Sequence, residues 1–215
     1  MPRTANQSLP MVFVKIKGLK KGSKDLYFEC KKKIGDGYQI EPGTESITNI
    51  EGAVTKIGSS EYTHEGEVIK FVEMYLNDGV EVMKLTLGLN NLTTSLLNSL
   101  RGCEKVGVVK LSIYRNKAGY PSIFVTNDGE RTEWAWKHED LGKMVEVHKV
   151  GNQTVVDSSV RDAFLLEELQ YIEIVGEVPE TSINKTVETA VENVAGHDMP
   201  LVGEEPLDSE DDLPF

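Results

Sequence analysis

Residues 90–102 read NNLTTSLLNSLRG, and this stretch decides how the rest of the chain is organised. Leu92, Leu96, Leu97 and Leu100 stand at i, i+4, i+5 and i+8, which gathers four leucines on one side of a helix. Asn91 is placed to cap the start of that helix and Gly102 its end. On either side the apolar residues recur at every second position instead. One helix therefore interrupts a β-rich chain.

Working outward, ITNIEGAVTKIG, EVIKFVEMYL and EVMKLTLGL precede the helix, and VGVVKLSIYR and YPSIFVTN follow it. All are rich in Val, Ile, Thr or aromatic residues and read as strands, as does TEWAWK further on. Tight turns are expected where Asn-Asp-Gly occurs (Gly79 and Gly129) and at Gly119 in RNKAGY. Three strands, a helix and two strands is the order of an OB-fold, a five-stranded barrel with a helix between strands 3 and 4. Ahead of it, MVFVKIKG and DLYFECKKK flank LKKGSK and predict an N-terminal hairpin extension that turns at Gly22. After residue 149, DSSVRDAFLLEELQYI predicts a short closing helix, with Ser159 and Asp162 at capping-box spacing. The expected fold is thus all-β: an OB barrel with its extension over residues 1–176, then a disordered acidic tail over 177–215. Residues 176–215 hold one basic and eleven acidic side chains, and so little apolar surface cannot offset the entropy of ordering them.

Charge is distributed as unevenly as structure. The net charge is −12 over 215 residues. Residues 1–150 carry 21 Lys and Arg against 19 Asp and Glu, whereas residues 151–215 carry 2 against 16. The first 33 residues alone hold nine basic side chains and two acidic ones. A basic leading edge is compatible with an anionic partner in spite of the average. No run is apolar enough to span a membrane, and the opening residues lack the apolar core of a secretory signal. A cytoplasmic protein is expected, with Cys30 and Cys103 as reduced thiols. On that footing the N-x-[ST] matches at Asn6, Asn91, Asn152 and Asn184 are chance.

Enzyme chemistry is not legible. His64, His138, His148 and His197 are scattered, and no nucleophile elbow, phosphate-binding loop or zinc motif occurs. Glu139 and Asp140 beside His138 read as a solvated turn. No cofactor, no metal and no catalytic residue is expected.

The strands carry the stronger signal. Alternation sends Val68, Val72, Met74 and Leu76 to one face and Phe71, Glu73 and Tyr75 to the other. Likewise Met83, Leu85 and Leu87 oppose Lys84 and Thr86. Val109, Leu111 and Ile113 oppose Lys110, Ser112 and Tyr114. Ile123 and Val125 oppose Tyr120, Ser122 and Phe124. One face is aliphatic; the other mixes rings with lysine, the chemistry of single-strand binding, in which rings stack on bases and cations neutralise phosphates. Candidate nucleic-acid contacts are Lys31, Lys33, Tyr62, Lys70, Phe71, Tyr75, Lys84, Lys110, Tyr114, Arg115, Tyr120, Phe124, Trp134 and Trp136. Ordinary cross-strand packing is the competing reading for each ring, and both tryptophans could equally cover a barrel end.

The sequence closes on DDLPF. Asp211, Asp212, Leu213, Pro214 and Phe215 resemble the acidic tip of bacterial single-stranded DNA-binding proteins, which join an OB-fold to a disordered linker ending in Asp-Asp-apolar-Pro-Phe. Glu204, Glu205, Asp208 and Glu210 add acids upstream, as such tips do. The resemblance implies binding of single-stranded DNA in replication, recombination or repair. It also implies recruitment of replication or repair proteins by residues 211–215, and homo-oligomer formation. The longer body and extra lead-in depart from the usual bacterial domain and its tetramer, and point to a phage- or plasmid-type relative. A protein-binding adaptor and an RNA-binding OB protein are the alternative readings.

Overall fold

The computed structural model describes residues 9–64, 66–151 and 153–175. The tail expected over 177–215, with the tip residues Asp211, Asp212, Leu213, Pro214 and Phe215, lies outside the described residues. The helix that organised the sequence is α1 (Asn91–Arg101), and it buries Leu92, Leu96, Leu97 and Leu100. Each such leucine contributes about 1.5–3 kcal/mol by leaving water. Its cap is Asn90 rather than the expected Asn91. The Asn90 side-chain oxygen accepts from the N–H groups of Leu92 and Thr93 at 2.9 and 3.1 Å. Asn91 instead accepts a hydrogen bond from buried Arg161 at 2.9 Å. At the other end Gly102 is required for space, since a Cβ there would lie 2.0 Å from the Glu133 carbonyl oxygen.

Strands β1 (Met11–Lys17), β2 (Tyr27–Ile34) and β3 (Gly37–Ile40) form the extension. β4 (Asn49–His64), β5 (Glu67–Asn77) and β6 (Val82–Gly88) precede α1, and β7 (Val108–Arg115), β8 (Pro121–Asn127) and the two-residue β9 (Glu130–Arg131) follow it. They make one sheet in the order β3-β2-β1-β6-β5-β4-β7-β8-β9. The turn between β8 and β9 is as tight as Asn-Asp-Gly predicts: Asp128 and Gly129 both have positive φ, 53° and 84°. A short helix α2 (His138–Gly142) replaces the turn expected around Glu139 and Asp140, and a separate hairpin, β10 (Glu146–Val150) with β11 (Gln153–Asp157), was not foreseen. Helix α3 (Ser159–Glu168) is the expected closing helix; its first cap position is Ser158, whose hydroxyl donates to Asp162 at 2.8 Å.

The expected closed five-stranded barrel is not formed, because the sheet does not close. Closure would need β6 to pair with β8, but that edge of β6 is taken by β1, which runs parallel to it from Met11 opposite Val82 to Val14 opposite Leu85. The extension is therefore part of the sheet. The roll is bridged elsewhere by irregular backbone. Phe28 N–H donates to the Ile47 carbonyl at 2.7 Å and Ile113 N–H to the Thr48 carbonyl at 2.9 Å, linking β2 to β7 through two residues. Inside lie Val12, Val14, Phe28, Met74, Leu76, Leu85, Val109, Leu111 and three leucines of α1, while Leu97 and Val72 pack with Leu165 and Leu169 of the closing segment in a second cluster, so the aliphatic faces read from the sequence are buried. Val68 is the exception. At 55% exposure it lies where β4 and β5 run past the core.

Candidate nucleic-acid interface

The outward face of β4, β5 and β6 brings together three of the expected residues and one that was missed. Cross-strand pairing sets Lys84 opposite Tyr75 and Tyr75 opposite Lys56. Both ammonium groups lie 5.6 Å from the centre of the Tyr75 ring. Simple alternation along β4 would not send Lys56 outward next to Val54, which is buried. A β-bulge between Val54 and Lys56 does so by inserting Thr55 into the strand. Phe71, opposite Ser60 and Gly88, extends the same face along the strands.

Glu73 occupies the middle of this face. Lys84 Nζ lies 2.9 Å from its carboxylate, the Ser60 hydroxyl donates to it at 2.9 Å and the Tyr75 hydroxyl at 3.4 Å. Partial burial pushes the carboxyl pKa up, but the hydrogen bonds from Lys84, Ser60 and Tyr75 outweigh it, so Glu73 sits below its ordinary value. The reciprocal contact holds the Lys84 ammonium above its own ordinary value. A second carboxylate, Glu29 on β2, is flanked by Lys31 at 3.0 Å and Lys17 at 3.6 Å. There too the two lysines outweigh burial and lower the pKa. Glu73 thus engages one lysine on the sheet surface and Glu29 two.

The other candidates divide. Lys33 is exposed on β2. Lys110 is exposed opposite Glu51 and Thr126, Tyr114 lies opposite Ser122, and Phe124 carries the Arg131 guanidinium 5.7 Å from its centre. Tyr62 stands exposed on the projecting end of β4, its ring stacked 6.1 Å from that of His64. Lys70 is exposed on that projection too, paired with Glu61; its place in the alternation is that of Val72, opposite to Phe71.

Arg115 and Tyr120 belong to a different structure. The Arg115 guanidinium donates to the carbonyls of Gly18, Lys20 and Gly119, and Lys21 donates to the Tyr120 hydroxyl at 3.1 Å while covering its ring at 4.4 Å. These contacts lock the β1–β2 loop to the β7–β8 loop. TEWAWK is not a strand, and its tryptophans do not share a face. The Asn98 side chain takes both the N–H and the carbonyl of Trp136, at 2.8 and 3.0 Å, which holds that backbone against α1. Trp136 then packs edge-on against Phe164 at 5.1 Å, whereas Trp134 is 52% exposed.

Sequence reasoning also missed Phe13, Lys15 and Lys17. Their alternation with buried Val12, Val14 and Ile16 was visible, but whether β1 lies beside the central strands depends on register. Burial raises the pKa of the Cys30 thiol to about 11 and raises that of Cys103, so both stay protonated at neutral pH. Among the described residues no helix is long and apolar enough to cross a membrane. In comparisons with known proteins, no family model, no curated protein and no solved structure matches this chain.

Proposed function

We propose that this protein binds single-stranded DNA, with little preference for sequence, on the outward face of β4, β5 and β6, and that it is not an enzyme. The observation that carries the reading is the Tyr75 ring flanked in register by Lys56 and Lys84. A ring with a cation on either side offers one base a stacking surface and its neighbouring phosphates two partners. The strand order β6-β5-β4-β7-β8 with α1 between β6 and β7 supports an OB-like body, one whose usual closing pair is replaced by the extension. In this reading Asp211 and Asp212 steer the tip towards basic patches on replication or repair proteins, and Leu213, Pro214 and Phe215 anchor it in an apolar socket. The cell's cytoplasm is the compartment that suits such a role.

A band-shift series with oligo-dT, duplex and oligo-U probes tests the proposal. Binding should favour oligo-dT over duplex, and log K should fall linearly with log salt by about 0.7 for each phosphate neutralised. Equal binding to duplex, or binding indifferent to salt, would sink it. Preference for oligo-U would transfer the role to RNA.

A further inference from the structure

The register of β1 continues the pattern of the central strands. Phe13 lies opposite Lys84 on one side and opposite Lys31 on the other. Together with the pairs already described, one row across five strands reads Lys31, Phe13, Lys84, Tyr75, Lys56. Aromatic residues and lysines alternate along it, and Lys84 is the register partner of both Phe13 and Tyr75. Four interstrand gaps make the row about 19 Å long. Val12, Val14 and Ile16 are buried, so Phe13 points to the same outward face as Lys15 and Lys17. The Phe13 ring is only half-buried. Tyr38 from β3 supports its edge, with centroids 5.1 Å apart and planes at 89°, and is itself 59% exposed.

A single ring beside a lysine is what cross-strand packing makes. Two rings repeated every second strand with a lysine between them offer more than one base and the linking phosphates a continuous track. Resting on the single-strand reading above, we infer that the N-terminal extension forms part of the DNA path: Phe13 is a second stacking ring, and Lys15, Lys17 and Lys31 meet phosphates. The bound strand then runs across the β-strands, from β4 through β1 to β2.

Oligo-dT titrations of the full-length protein test this with Phe13→Leu, Phe13→Tyr and Tyr75→Ala, each checked by thermal melting. Leucine keeps apolar bulk beneath Tyr38 but offers no aromatic face. The expected result is affinity about tenfold weaker for Phe13→Leu, native affinity for Phe13→Tyr, and loss in Tyr75→Ala. Native affinity in Phe13→Leu with loss in Tyr75→Ala overturns the inference and leaves the single-strand reading standing. Native affinity in both removes the two together. Should Phe13→Leu melt early, the exposed pair Lys15→Gln with Lys17→Gln decides. Its salt slope should be shallower by about 1.4, and an unchanged slope overturns the inference.

Discussion

Tyr75 and Tyr120 each carry a lysine ammonium against the ring, yet they sit in different kinds of structure. At Tyr120 the cations are spent on the protein itself. Arg115 donates to three backbone carbonyls, and Lys21 is bonded to the tyrosine hydroxyl. At Tyr75, among the described residues, the lysines contact side chains only: Lys84 meets Glu73 and the ring, and Lys56 lies beside the ring. A cation that satisfies backbone carbonyls is structural, because removing it strands those groups. A cation held by one exchangeable carboxylate can be passed to a phosphate. Residue type alone does not separate the two cases. What the donors bond to does.

The largest expected effect lies on the Tyr120 side. Arg115→Ala should destabilise the fold by about 2–4 kcal/mol, as charged hydrogen bonds to several carbonyls are lost at once. Denaturant melts would show it, and the fraction still folded should bind oligo-dT with native affinity. If Arg115→Ala instead left stability intact and abolished binding, the division between the two regions would be reversed.

A smaller effect sharpens the Tyr75 side. Glu73→Gln removes the carboxylate that competes for Lys84, so oligo-dT affinity should rise two- to threefold, roughly what a partly exposed ion pair is worth. Weaker binding in that variant would mean that Glu73 positions Lys84 and does not restrain it. Smaller still is the acid response. Glu73 and Glu29 both sit below their ordinary value of 4.5 in the fold, so the stability they contribute is full above that value and is lost as pH falls through the lower, folded pKa. Melting temperature should therefore drop below about pH 4.5, and less steeply in Glu73→Gln. Identical acid profiles would show that the Glu73 contacts add nothing to the fold.

How far the sequence could be read follows from the same contrast. Alternation on β5, β6, β7 and β8 separated the aliphatic face from the mixed one, because each strand buries one side and a period of two leaves no freedom. The four leucines of α1 were equally plain. Three things were hidden because they depend on contacts between distant segments. The parallel pairing of β1 with β6 turned an apparent appendage into part of the sheet and left it open. The bulge at Val54 and Lys56 changed which side chains of β4 face outward. Asn98, reaching 38 residues along the chain to Trp136, removed a strand that TEWAWK seemed to promise. Arg115, the last residue of an alternating strand, reads as a phosphate contact in the sequence, where its three carbonyl partners in two loops are not legible.

In the proposed reading Tyr75 is a base platform and Tyr120 is not. Oligo-dT affinity measured side by side for Tyr75→Ala and Tyr120→Ala, at matched salt and with melting temperatures recorded, tests it most directly. Tyr75→Ala should bind 5- to 150-fold more weakly, equivalent to about 1–3 kcal/mol, with its melt little changed, while Tyr120→Ala keeps native affinity. Native affinity in Tyr75→Ala, or an equal loss in both, would contradict the account.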